Sequence, residues 1–412
     1  MVIWLFVLKL WIIIMRNLQN GFRYSDKFEK VLEYLKNKNY RDKKLPVEFL
    51  EDGLFEDTLE IMVSNVLGKA TYLDTPLSLA HMDPPTPWIT WVMSLYNARL
   101  NQNLLHQELS PFASEAERLA IEWIKPFFGM GGGHLCSGST IANLTALWVA
   151  RDSKNIKKVV TSNEAHISIE KAAKILGLEI RKVKVDDKGR IDKNYIGDLS
   201  DSCLVLTAGT TCRGAIDPME LITEAKYTHI DGAWAASLRF SPKYEHLLDG
   251  IEKADSISVS AHKWLYQPKD SAIILFRDNQ KAREIMSFGS SYLSRENVGI
   301  QGSKGANGVN LLATLLFFGK KGIAKLIEHS FEMSKRLRDA LHKIDNIEIY
   351  EGSQSAILLF RVKNLDTDEF LKRVPRGMFS SCKIGSDYWI RAVALNPLAD
   401  IWEIVKEVKK IV

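Results

Sequence analysis

Lys263 stands in Ser260-Ala261-His262-Lys263-Trp264, at the point where a buried strand gives out. Ahead of it the alternating, β-branched run from Ala254 to Val259 reads as a strand, and behind it Asp270 to Phe276 is an apolar run of the same kind. A lysine amine at the end of a core strand, beside a histidine and a tryptophan, is placed for covalent chemistry with a carbonyl compound. From this stretch alone, a solvated lysine on a surface loop reads equally well, because lysine is mostly exposed. Asp231 decides between the two. It closes the apolar stretch Tyr227-Thr228-His229-Ile230 and opens the small-residue run Gly232-Ala233-Trp234-Ala235-Ala236, so that a carboxylate ends a strand over a tight floor.

Pyridoxal phosphate requires both groups: a lysine for its imine, and an anion that keeps its ring nitrogen protonated so that the ring accepts electrons. Asp231, followed about thirty residues later by His262-Lys263, resembles the Asp-x-Ala and His-Lys pairs of the group II pyridoxal-phosphate decarboxylases, which include aromatic amino acid and glutamate decarboxylases. Ser260 and Ala261 stand where many members carry an acidic residue or proline. The same resemblance assigns Ala233 to the floor of the cofactor site.

A third segment offers a phosphate grip. Gly131-Gly132-Gly133-His134-Leu135-Cys136-Ser137-Gly138-Ser139-Thr140 leads into Ile141 to Arg151, whose apolar spacing predicts a helix. Small residues at a helix N-terminus bring free N–H groups and the positive dipole end to an anion. An ordinary N-cap uses the same residue types. Ser137, Gly138, Ser139 and Thr140 resemble the family's Ser-Gly-Gly-Thr-Glu-Ala-Asn segment, with Ser139 in place of the second glycine and Ile141 in place of the glutamate.

Two further segments match in order. Ser162 to Ala173 resembles the family's Ser-x-x-Ala-His-x-Ser-x-x-Lys-Ala-Ala, which implies that His166 stacks on the cofactor ring; by itself a lone histidine is more often structural. Leu206-Thr207-Ala208-Gly209-Thr210-Thr211 resembles the Thr-Ala-Gly-Thr-Thr strand end, implying a ring or substrate contact from Thr210 or Thr211. Ile300-Gln301-Gly302-Ser303-Lys304-Gly305 is similar to the segment that reaches the partner's phosphate in the dimer, through Gly302 and Ser303, with Lys304 where arginine is usual. The only tyrosine in the loop from Ser287 to Ser303 is Tyr292, a candidate proton donor or one half of a structural Tyr-Leu pair. Arg391, in a segment resembling the family's Leu-Arg strand before Asn-Pro, is expected to make an ion pair between two domains rather than to grip the substrate carboxylate.

The elements that must position these residues follow an α/β pattern. Predicted strands near Val159, Ile180, Leu206, Ile230, Ile257 and Ile274 alternate with helices, the pattern of a mostly parallel sheet covered on both faces. A long helix is predicted over Ile323 to Ile344, after Gly319 and Gly322, and then a small α+β region. The resemblance implies pyridoxal-phosphate fold type I, with a seven-stranded-type sheet and homodimeric active sites. The expected division is an N-terminal helical segment over 1–75, a cofactor domain over 76–322 and a small C-terminal domain over 323–412. The implied reaction removes the α-carboxylate of an L-amino acid as carbon dioxide. Another fold type I lyase, an aminotransferase and a non-catalytic homologue share the same cofactor residues and are the alternatives. The residues do not specify which amino acid is used.

Composition fits this reading. The 412 residues carry a net charge of +5, with 46% hydrophobic and 25% charged residues, as in ordinary globular chains. Basic residues alternate with acids on predicted helices, which reads as solvated faces rather than nucleic-acid binding. Cys136, Cys203, Cys212 and Cys382 show neither CxxC nor metal-ligand spacing, so no metal is expected and all four read as reduced thiols of a cytoplasmic protein. The first fifteen residues are apolar but shorter than a membrane span of about 20. A docking helix, a weak signal anchor or an extension ahead of a start at Met15 are the readings, the last favoured. Tyr24 to Lys44 reads as an amphipathic helix with Phe28, Val31, Leu32 and Leu35 on one face, implied by the resemblance to pack on a partner subunit.

Overall fold

A computed structural model describes residues 43–46, 48, 54, 57–287 and 298–412. The chain divides into two compact units, Met1–Tyr72 and Leu73–Val412. In the first, helix α1 (Thr58–Val66) is described. The apolar start, Tyr292 and all of the expected Tyr24–Lys44 helix except Lys43 and Lys44 lie outside the described residues; those two are not helical. Among the described residues, no helix is long and apolar enough to cross a membrane.

The second unit opens with α2 (Trp88–Leu100) and α3 (Pro111–Ile124). Strand β1 (Gly132–Cys136) leads into α4 (Ser139–Lys154), and β2 (Lys158–Ser162) into α5 (Ile167–Ile175). Next come β3 (Glu179–Val183), β4 (Ser202–Thr207), β5 (Tyr227–Asp231), β6 (Ser256–Val259) and β7 (Ala272–Phe276). They are followed by α6 (Asn279–Met286) and α7 (Asn307–Leu341). Strands β8 (Ile347–Ile349) and β9 (Ile357–Val362), helix α8 (Thr367–Arg373), strands β10 (Ser380–Ile384) and β11 (Asp387–Val393), and helix α9 (Ile401–Lys409) complete the chain.

The large sheet has the order β1-β7-β6-β5-β4-β2-β3. Strands β6, β5, β4, β2 and β3 are mutually parallel, and β7 runs antiparallel to both β6 and β1. Every residue of β4, β5, β6 and β7 is buried, which explains why these strands read as continuous apolar runs. The register aligns Thr207, Asp231 and Ser258, so the loops after β4, β5 and β6 open together at the carboxyl edge where α/β sheets bind ligands.

Strand β1 departs from expectation: the glycine run read as a lead into the phosphate loop is itself the seventh strand. Glycine is depleted in strands, so propensity hides it. The packing requires it, because a Cβ on Gly133 would lie 2.0 Å from the carbonyl oxygen of Ile274. The long helix also differs, starting at Asn307 rather than Ile323, with a break at Gly319 (φ 60°, ψ 178°), where positive φ favours glycine.

The smaller sheet is antiparallel, in the order β10-β11-β9-β8. Its polar edge strand β10 gave no strand signal, and it corrects the reading of the cysteines. Cys382 on β10 meets Cys212, in the loop after β4, and the two form a disulfide across 170 residues of sequence. Only Cys136 and Cys203 are thiols, both buried. Spacing along the chain carries no information about this pairing, which two separate sheets create.

The disulfide predicts a thiol count. Denatured, unreduced protein should react with two equivalents of a thiol reagent and reduced protein with four. Reduction should lower the melting temperature, since the closed loop is long. Four reactive thiols before reduction would remove the crosslink.

Candidate active site

The loops at the carboxyl edge of the large sheet enclose a cavity of about 310 Å³. Ser137, Gly138, Ser139, Thr140, His166, Asp231, Ala233, His262 and Lys263 all line it. Residues separated by more than a hundred positions are thus brought to one site.

Each arrives for a local reason. Ser139 and Thr140 are the first residues of α4, whose leading N–H groups have no intrahelical partner. Gly138 precedes them with φ 109°, and a Cβ there would meet nothing within 4 Å, so the approach to the helix end is open. Ser139 and Ser260, each a departure from the family pattern, share a hydrogen bond between their hydroxyls. His166 caps α5, its Nδ1 accepting from the Ser168 N–H at 3.2 Å. Lys263 lies in the turn after β6, where its N–H donates to the Ser260 carbonyl.

Asp231 is only 3% exposed. Its Oδ2 accepts from Asn143 Nδ2 at 3.1 Å and its Oδ1 from the Ala233 N–H at 3.2 Å. Asn143, on α4, also lines the cavity. Behind it lies His229, fully buried, with Nε2 3.0 Å from Asn143 Oδ1 and Nδ1 2.9 Å from Ser256 Oγ.

Burial sets the protonation of the site. It pushes the Lys263 ammonium below the ordinary lysine range, against the opposing attraction of Asp231 and Asp83. Burial likewise lowers His166 despite the nearby Asp231 charge. His262 is pushed down to about 4 by burial and then by Lys269 and Lys263. A neutral His262 donates from Nδ1 to the Ser271 carbonyl at 3.0 Å, which leaves Nε2 as an acceptor.

Not every expected residue joins the cavity. Thr210 is buried, and its hydroxyl accepts from the Ala215 N–H at 3.1 Å, while Thr211 faces the cavity. Gly302 and Ser303 do not line it; Ser303 accepts from Asn103 Nδ2 at 3.1 Å in an adjoining hollow that also includes Ser137. Lys304 pairs with Glu117 at 2.5 Å in that hollow. Asn143, Thr207, Gly209, Lys269 and Asp270 line the cavity without having been singled out. Asn143 lies one helical turn from Ser139 and Thr140, and that spacing was a usable signal. Lys269, paired with Asp83, had none.

Arg391 is 7% exposed and stays out of the cavity. Its Nη1 donates to the Thr211 carbonyl at 2.7 Å, its Nε to Ser380 Oγ at 3.0 Å and its Nη2 to the Ala80 carbonyl at 3.4 Å. The expected ion pair is therefore a set of hydrogen bonds to backbone carbonyls and a hydroxyl, joining β11 of the smaller sheet to the loop after β4.

A buried lysine, a buried carboxylate and a helix N-terminus around one cavity suit a phosphorylated pyridine aldehyde, and comparison with known proteins agrees. Residues 34–363 match the model of the pyridoxal-dependent decarboxylase conserved domain. The chain belongs to this family. Pyridoxal phosphate is its cofactor, and amino acid decarboxylation its reaction class. Among curated relatives, aspartate 1-decarboxylase of Aliivibrio fischeri is 27% identical over 365 residues, covering 73% of this chain and 66% of the relative. Aromatic-L-amino-acid decarboxylase of Bacillus atrophaeus is 26% identical over 405 residues, covering 86% and 84%. The crystal structure of mouse CSAD superposes with a TM-score of 0.82 at 21% identity, over 97% of this chain and 98% of that one, which shows the shared fold.

Two predictions follow from these environments. Arg391→Leu strands the buried Thr211 and Ala80 carbonyls, so the melting temperature of this decarboxylase should fall by several degrees with KM little changed. A tenfold rise in KM, about 1.4 kcal/mol of binding, with unchanged melting would make Arg391 a substrate ligand. His229 and His262 are both held at about 4, against an ordinary 6.5. Between pH 6.5 and about 4 the unfolded chain binds protons that the folded chain refuses, so stability should fall as pH drops through that window. His229→Gln should flatten the slope of melting temperature against pH there, and an unchanged slope would show that His229 does not contribute to it.

Proposed function

We propose that the chain decarboxylates an L-amino acid with Lys263, Asp231 and His166 as the catalytic residues. The observation that carries this reading is the buried Lys263 amine, lowered in pKa by burial, in one cavity with Asp231 and the N-terminus of α4. Ser137 to Thr140 would hold the phosphate at that helix end, Ala233 and His166 would flank the ring, and His262 Nε2 would accept a hydrogen bond. Thr211 takes the hydroxyl role in preference to Thr210, since Thr211 lines the cavity and the Thr210 hydroxyl is bonded to the Ala215 N–H. Bound there, the cofactor supplies an electron sink for the bond that breaks.

The chain's own residues decide which bond that is. Burial favours the neutral Lys263 amine, which is the nucleophilic form. Asp231 would set its carboxylate beside the ring nitrogen. Arg391 bonds two backbone carbonyls and the Ser380 hydroxyl and does not line the cavity, so it would not stabilise the departing carboxylate; stabilisation confined to the ground state would slow its loss.

Homodimerisation is part of the proposal. Trp88, Trp91 and Leu95 on α2 are exposed at helical spacing, beside exposed Leu316 and Phe317 on α7. Trp88 and Phe317 meet edge to face at 5.5 Å. An apolar face of this kind suits a second copy, which would bring Gly302 and Ser303 to the partner's phosphate. We also retain the division at 1–75, 76–322 and 323–412 and a cytoplasmic location. In a reducing compartment, Cys212–Cys382 would then be a labile crosslink, and trapping thiols at cell lysis tests that location.

Borohydride should label Lys263 alone among the lysines, and Lys263→Ala should abolish turnover while phosphate binding remains. Label on Lys269 or Lys304 would overturn the assignment. Carbon dioxide and amine should appear from at least one member of an L-amino-acid panel; keto acid in their place would make the enzyme an aminotransferase. Trp91→Glu should shift the protein toward monomer in sedimentation, and an unaltered dimer would exclude this face.

A further inference from the structure

The hydrogen bonds behind the cavity fix one proton arrangement. Asn143 Oδ1 receives Ser258 Oγ at 2.7 Å and His229 Nε2 at 3.0 Å. Asn143 Nδ2 faces Asp231 Oδ2 at 3.1 Å and Ser168 Oγ at 3.0 Å. An amide has two donor hydrogens and an acceptor oxygen with two lone pairs, and all four positions are filled.

The direction of each bond follows from this. An amide oxygen only accepts, so His229 carries its proton on Nε2, and its Nδ1 accepts from Ser256 Oγ at 2.9 Å. Burial holds His229 at about 4, which keeps it neutral with a single N–H. Ser258 has one hydroxyl hydrogen, committed to Asn143 Oδ1. The amide cannot turn over, because a flip would set its oxygen against the Asp231 carboxylate, which only accepts. On the other branch, Ser168 Oγ accepts from Asn143 and gives its own hydrogen to His166 Nδ1 at 2.8 Å, where the Ser168 N–H also donates. His166 is thereby left with its proton on Nε2.

We propose that Asn143 is a positioning residue whose single amide orientation, held by Asp231, His229 and Ser258, aims the Asp231 carboxylate at the cofactor ring nitrogen and, through Ser168, reinforces the tautomer of His166 that the Ser168 N–H already favours. One side chain on α4 thus couples the end of β5 to the cap of α5. This inference rests on the cavity being the cofactor site of the decarboxylase, but histidine tautomers are read without turnover, so the two can fail separately.

The test begins with the wild-type holoenzyme. Nitrogen-15 histidine spectra at pH 7.5, assigned by single substitutions, should show His166 and His229 each protonated on Nε2 and bare on Nδ1. Either histidine with its proton on Nδ1 overturns the proposal, whatever the variants do. In His229→Leu the amide oxygen loses one of its two donors and the side chain can shift, so kcat should fall about tenfold with KM changed less than twofold. The ring-nitrogen signal of labelled pyridoxal phosphate should then move toward the unprotonated value. His229→Gln keeps a donor for Asn143 Oδ1 and should restore most of both. If His229→Leu lowers only the melting temperature, leaving kcat and the ring-nitrogen signal as in wild type, the role is structural and the proposal fails. Should His229→Leu not fold, the tautomers of the wild-type enzyme decide.

Discussion

A buried carboxylate proposed to face a cofactor ring must be bonded on the protein side without a competing cation, and the interior around Asp231 is arranged to meet that requirement. Among the described residues, Asp231 has no cationic side chain in hydrogen-bonding contact; its partners are an amide and a backbone N–H. Neutral donors satisfy its oxygens without supplying a competing counter-ion. The cost is a polar cluster of Asn143, His229, Ser168, Ser256 and Ser258 between the large sheet and helices α4 and α5, all nearly or fully buried. Such a cluster is tolerated only when its members satisfy one another.

The same cluster relates the helix to the sheet. Asn143 sits one turn into α4, so its bond to Asp231 fixes the distance between the helix N-terminus, where a phosphate would sit, and the carboxylate proposed to face the ring nitrogen. A phosphorylated ring has fixed length, and a scaffold that binds it must hold those two ends rigidly. Apolar packing of α4 on β7 supplies the surrounding stiffness through Ala142, Ala146 and Ile274.

A second constraint acts on the loop after β4. Arg391 bonds the Thr211 carbonyl, the disulfide holds Cys212, and Arg213 pairs with Glu164 at 2.7 Å while bonding the Tyr350 hydroxyl at 3.2 Å. Three consecutive residues are tied to the smaller sheet, and the third also to the segment that carries His166. Gly209 begins this loop at φ 94°, pressed against Trp234, so that a Cβ there would lie 2.5 Å from the indole. The loop is therefore set by contacts from both sheets, which places Thr211 in the cavity and turns Thr210 away.

The amino-acid sequence by itself determined the family, the alternation of strands and helices, and the main cavity residues: Lys263, Asp231, His166 and Ser137 to Thr140 belong to local motifs in which strand ends, caps and helix starts are written in consecutive residues. The glycine strand β1 and the polar strand β10 were not legible, because close backbone approach and edge position overrode propensity. Tertiary structure alone decided the choice of Thr211 over Thr210, the bonding of Arg391 to carbonyls and the pairing of Cys212 with Cys382. It also decided the meeting of Asn143 with His229. Each of these depends on which side chains two distant elements bring within about 3 Å, and hydrogen-bond direction is settled only when every donor and acceptor around a buried group is in place.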